Sequence, residues 1–114
     1  MRSLRSSAGF VEFVLDQLAG LGDVASKSMF GGTGLYCRGR FFGIVARDML
    51  YLKADDETRG AFETAGSQPF RPYPDRSGTM QYYSVPLDVL ESAPELVRWA
   101  RDAVRAAERA GRGR

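Results

Sequence analysis

Lys53 stands two residues after Tyr51, and Tyr82 and Tyr83 follow further along the chain, a set offering one amine and several phenols. A desolvated lysine can act as a general base or Schiff-base nucleophile, and exposed tyrosines can stack on unpaired bases. Neither use is complete here. The chain contains no histidine, the commonest general base and metal ligand, and a single cysteine, Cys37. One sulfur cannot build a zinc or iron–sulfur cluster, and there is no Cys–His pair. Nothing in the sequence gives Lys53 a partner of known catalytic geometry. The expectation is a protein that is not an enzyme, with no cofactor and no catalytic or metal-binding residue.

The run Met29-Phe30-Gly31-Gly32-Thr33-Gly34 is the other candidate, because consecutive glycines can turn backbone amides toward a phosphate. It lacks the lysine and hydroxyl of a P-loop, and the glycine spacing and following helix of a dinucleotide fingerprint. A turn or bulge that re-aims a strand is the plainer reading.

Two surfaces remain as binding candidates. Tyr51, Lys53, Tyr73, Tyr82 and Tyr83 form either an aromatic and cationic face on an open sheet or a half-buried sheet surface and subunit interface. Arg98, Arg101, Arg105 and Arg109 recur at steps of three and four, so they share one helix stripe, with Arg112 and Arg114 beyond. Such a stripe can meet phosphates or an acidic partner. Glu95 and Asp102 are also placed to pair with Arg98 and Arg105 along the helix, which makes a solvated, salt-bridged face. Nucleic-acid binding through this helix and the tyrosines is the alternative to protein binding.

The elements that position these residues are legible from periodicity. Phe10, Phe13, Val14, Leu18 and Leu21 mark a helix from about Ser7 to Leu21, capped by Ser6 or Ser7 and ended at Gly22. From Val24 the period drops toward two. Strands are expected at Ala25–Met29, Gly34–Cys37, Phe41–Ala46 and Met49–Lys53, joined at Gly31-Gly32, Arg38-Gly39 and Arg47-Asp48. Strict alternation puts Phe42, Ile44 and Ala46 on one face of the third strand. A short helix follows Asp55-Asp56-Glu57. Phe70–Pro74 reads as an edge strand or arm, Asp75–Gly78 as a turn and Met80–Val85 as a strand. Ser92-Ala93-Pro94-Glu95 has the form of a capping box opening a long last helix, with a frayed tail from Gly111.

The chain of 114 residues is the size of one domain, with its core at about 7–109 and with 1–6 and 110–114 flexible. The element order α-β-β-β(β)-α-β-β-α gives an α+β fold of two layers, an antiparallel sheet with helices on one face. The lone cysteine and the absence of a signal-peptide core lead to an expected cytoplasmic location, and no membrane contact is expected.

The run Met29 to Tyr36, the later Leu50-Tyr51-Leu52-Lys53-Ala54-Asp55, Tyr82-Tyr83 with Val85-Pro86, and the closing helix with Trp99-Ala100 and Ala103 resemble the N-terminal domain of TfoX/Sxy proteins, in the same order. The resemblance covers roughly Phe10 to Ala107. It implies a two-layer fold similar to the secretion-chaperone-like group. It also implies kinship with regulators of natural competence genes that act on transcription with the cyclic-AMP receptor protein. Those regulators carry a second, helical domain that does not follow here. A non-catalytic regulatory module is therefore expected, one that binds protein, either itself as a homodimer or the transcription machinery. Tyr51, Lys53, Tyr82, Tyr83, Arg98, Arg101 and Arg105 are its candidate contact residues. Met29, Phe30, Gly31, Gly32 and Gly34 are a structural motif.

Overall fold

A computed structural model describes residues 5–29, 31–72 and 80–112. Phe30, Tyr73, Pro74, the expected Asp75–Gly78 turn and Arg114 lie outside the described residues. Helix α1 (Ala8–Gln17) is capped by Ser7, whose Oγ accepts from the Phe10 amide at 3.2 Å. The expected helix to Leu21 is split: a separate 3₁₀ turn spans Ala19–Leu21. Gly22 and Asp23, with φ of 81° and 54°, then reverse the chain into the sheet.

The strands are β1 (Val24–Met29), β2 (Gly32–Cys37), β3 (Arg40–Ala46), β4 (Met49–Lys53), β5 (Pro69–Phe70) and β6 (Met80–Ser84). They form one antiparallel sheet in the order β1-β2-β3-β4-β6-β5. Cys37 pairs with Arg40 and Ala46 with Met49, so each connection is two residues long. Arg38 and Gly39, like Arg47 and Asp48, all have positive φ, the backbone that matches the twist of a two-residue hairpin. Non-glycine residues rarely adopt it. At Arg47-Asp48 the N-terminal segment helps: Asp48 Oδ1 accepts from the Ser7 amide at 2.8 Å, and the Asp48 amide donates to Ser6 Oγ at 2.9 Å. Ser6 thus contacts the β3–β4 hairpin.

Three further helices follow: α2 (Arg59–Thr64), α3 (Leu87–Leu90) and α4 (Ala93–Arg112). The short α3 was not expected; Pro86, which ends the strand, also serves as its N-cap. Ser92 caps α4 with a 3.4 Å contact from the Glu95 amide. The capping box is only half made, because the Glu95 carboxylate turns to Arg98 at 2.6 Å instead of reaching back. The last helix also runs on through Gly111 to Arg112, past the expected fraying point.

Helices cover one sheet face. Val14 of α1, Leu18 at its C-cap, and Leu96, Val97, Ala100 and Ala103 of α4 bury against Leu35, Phe42, Val45, Leu50 and Leu52. Each large apolar side chain so buried contributes about 1.5–3 kcal/mol.

The sheet departs from strict alternation at one point. Leu35 pairs with Gly43 but Tyr36 pairs with Phe41, so Phe42 is an extra residue in β3. This β-bulge puts Phe42 with Leu35 and Val45 on the helix side, and Phe41, Ile44 and Ala46 on the other side. The expected sharing of one face by Phe42, Ile44 and Ala46 is thereby corrected. Five consecutive residues of β3, Phe42 to Ala46, are buried because both sides of the strand are packed. The bulge also needs Gly43: a Cβ there would lie 3.3 Å from Leu35 Cδ1 and 3.3 Å from the Tyr51 carbonyl oxygen. Gly43→Ala is expected to cost about 1–3 kcal/mol through overpacking, read as a lower urea midpoint at unchanged slope.

Candidate functional site

The glycine run resolves into a hairpin. Met29 closes β1 against Gly32 of β2, and Gly31 has a φ of 83°. Gly34 leaves room for two neighbours, since a Cβ on it would fall 3.1 Å from both Met29 and Phe41 side-chain atoms. These glycines serve strand reversal and close packing.

The tyrosine and lysine set does not form one surface. In β6, Tyr82 and Tyr83 point to opposite sides. Tyr83 stacks on Phe62 of α2 with ring centroids 5.6 Å apart, on the helix side. Tyr82 and Tyr51 join Ile44, Ala46, Phe70 and Phe41 in a second, smaller core on the other side. Only 8% of Tyr51 and 5% of Tyr82 remains accessible, too little for base stacking in this conformation. The rings pack closely, Tyr36–Phe41 at 5.1 Å, Phe41–Tyr82 at 5.4 Å and Tyr51–Phe70 at 4.8 Å. Lys53 pairs with Tyr82 across the strands and lays its Nζ 5.3 Å from that ring centroid, a cation–π contact. Lys27 does the same over Tyr36 at 5.2 Å. This side of the sheet is thus an aromatic core rimmed by two ammonium groups.

Burial pushes the Tyr82 hydroxyl up to about 12, with nearby Tyr36 adding to the effect. Tyr51 is also raised by burial, against a smaller opposing influence of Arg47.

The arginines of α4 do lie along its outer side, and most are engaged. Arg98 holds Glu95 at 2.6 Å and Arg105 holds Asp102 at 3.3 Å. Exposed pairs of this kind add little to stability, because water and salt screen them. Arg109 reaches across to the connection between β4 and α2, donating from Nε to Asp55 Oδ2 at 2.7 Å and lying 3.2 Å from Glu57. Its hydrogen bond, with its charge, holds the Asp55 carboxyl below the usual carboxylate range, and the Glu57 and Thr58 amides assist. Arg101 stays exposed and, with Arg38 and Arg105, rims a cleft of about 250 Å³ floored by Leu21, Cys37 and Val104. Arg98 belongs to a different cleft, beside Trp99 and Phe62. Arg101 and Arg105 thus share one cleft, and Arg98 lines the neighbouring one with Asp102. Cys37 is buried at the cleft floor, its thiol 3.5 Å from the Gly22 carbonyl oxygen. Among the described residues, no group of three or more His, Cys, Asp or Glu side chains converges as a metal site would require. Among the same residues, no helix is long and apolar enough to cross a membrane.

What remains open is backbone. β1 lies at the sheet edge, and Ala25, Ser26, Lys27 and Ser28 are all exposed. The sequence reading missed this edge, since periodicity identifies a strand but not its place in the sheet order. The Asp55–Arg109 bridge was missed for a similar reason, its partners being far apart in sequence.

The fold is an open antiparallel sheet with one helical layer, in which Tyr51, Tyr82 and Lys53 are packed and Arg98, Arg105 and Arg109 are ion-paired, while Arg101 stays exposed. The chain belongs to the TfoX N-terminal domain family, whose model matches residues 16–107. No curated protein matches it.

Two titrations check the electrostatics. Tyr82 has a folded pKa above the unfolded value of roughly 10, so its contribution is complete below pH 10 and lost as pH rises through about 12. Tyr82→Phe is expected to remove the latest phenolate absorbance step in a 295 nm titration. Asp55 is the opposite case: its folded pKa is depressed, so its contribution is present above the unfolded value of roughly 3.9 and lost as pH falls through the folded one. The destabilisation caused by Arg109→Met should be largest at neutral pH and shrink as the solution is acidified, followed by urea midpoints.

Proposed function

We propose that this chain is a non-catalytic, cytoplasmic binding module of transcription regulation that works through protein–protein contacts. The observation that carries this reading is where the reactive side chains have gone. Tyr51 and Tyr82 are buried, Lys53 lies over the Tyr82 ring, and Arg98, Arg105 and Arg109 are held by the chain's own carboxylates. The β1 edge, by contrast, is exposed and pairs with no second strand beyond β2 among the described residues, and such edges are how extended segments recognise one another. Membership of the TfoX N-terminal domain family supports a regulatory role of the kind found in competence regulators.

The test is retention of purified RNA polymerase or cyclic-AMP receptor protein from the same cell on the immobilised chain. Retention that withstands nuclease treatment is expected. No retention of either protein overturns the reading. Retention abolished by nuclease, with a steep salt dependence relieved by Arg101→Ala and Arg105→Ala, transfers it to nucleic acid.

A further inference from the structure

The two edges of the sheet are unlike. β5 is two residues long and begins with Pro69, which has no N–H to offer a neighbour. β1 has six residues and no proline, and its pairing with β2 holds one register from Val24–Cys37 to Met29–Gly32. The helical layer stops short of it. Ser26 pairs with Leu35, so it is on the helix side of the sheet, yet both Ser26 and Ser28 are exposed.

Which backbone groups face outward follows from one hydrogen bond. The Arg38 amide donates to the Asp23 carbonyl at 3.2 Å, which makes Asp23, Ala25 and Lys27 the residues bonded to β2. The N–H and C=O groups of Val24, Ser26 and Ser28 therefore point away from the sheet. Charge decides what can pair with them. If two copies meet antiparallel with the dyad at Lys27, the two ammonium groups face each other directly, which is unfavourable. If the dyad is at Ser26, then Ser26 meets Ser26, Val24 meets Ser28 and Lys27 meets Ala25. Lys27 then lies diagonal to Asp23 of the second copy, within reach of a long side chain. Asp23 is free to respond: its side chain is 78% exposed and its contact with Arg38 is long, at 4.0 Å.

We propose that β1 pairs antiparallel with β1 of a second copy about a dyad at Ser26, joining the two sheets into one and placing Lys27 of each copy against Asp23 of the other. This deepens the protein-binding reading and rests on it. The contact is small, well under the roughly 1,200 Å² of a standard interface, so the dimer is weak and concentration-dependent. A lysine on an edge strand can also serve only to repel neighbours. In that case Lys27→Ala would strengthen association; the paired geometry requires that it weaken it.

Sedimentation of the full chain from roughly 10 µM to 1 mM is the test, a range suited to a small interface. A monomer–dimer equilibrium is expected, abolished by Ser26→Pro, whose lost N–H points outward, with circular dichroism and Tm showing that the variant still folds. Lys27→Glu and Asp23→Lys should each weaken dimerisation about tenfold, since the symmetric dimer loses two exposed ion pairs and gains two like-charge contacts. An equal mixture of these two variants should regain it, because the carboxylate introduced in one copy then faces the ammonium introduced in the other. A monomer throughout, a dimer indifferent to Ser26→Pro, or a mixture with no recovery overturns the proposal. If the chain stays monomeric yet retains its transcription partner, self-pairing falls and the wider reading stands. If it dimerises but retains no partner, the wider reading falls alone.

Discussion

The bulge at Phe42-Gly43 is the constraint on which the rest of the structure depends. A strand without it would send Phe42 to the side of Ile44 and Ala46, leaving the helical layer without its largest fully buried side chain. With it, Phe42 reaches the helices, and Phe41 swings back to join Tyr36 and Tyr82. One inserted residue thus supplies two cores from a single strand. The accompanying glycine is required because β2 and β4 crowd Gly43 from both sides.

The two cores have different chemistry, and that difference decides what the surface can offer. The helix side is filled by aliphatic groups from α1 and α4, which give area without polar demands. The opposite side is filled by tyrosine and phenylalanine, with Lys27 and Lys53 lying over ring faces. The ammonium groups stay near water while their stems cover aromatic surface. A face of this kind needs no second layer of helices.

Much of this was legible in the sequence. The hairpin positions Arg38-Gly39 and Arg47-Asp48, a capping serine at residue 6 or 7 and the apolar stripe of the last helix follow from short-range rules that act within a few residues. The bulge was not legible, because alternation assumes that no residue is inserted and nothing local announces one before Gly43. Of the two readings of the tyrosines, the half-buried surface describes Tyr51 and Tyr82, but a single face holding Tyr83 as well does not form, for a related reason. Tyr82 and Tyr83 are adjacent and so must diverge, and whether the Tyr82 side is wet depends on Phe70 and β3, which sequence spacing does not bring together. Glu95 likewise had two partners within reach, and Arg98 prevailed over the helix amide.

The order of the strands carries a consequence for how the chain assembles. β1 to β4 form a meander in which every strand pairs with its immediate successor through a two-residue turn or, at Met29–Gly32, an equally close approach. Closing such short loops costs little chain entropy. The pairing of β4 with β6 spans α2 and β5, and the seating of α4 on β3 spans still more of the chain. The meander is local and the helical cover is not, so the two-sided strand β3 belongs to the part of the molecule that can organise first. The contacts that complete its burial on each side arrive from the segments made last.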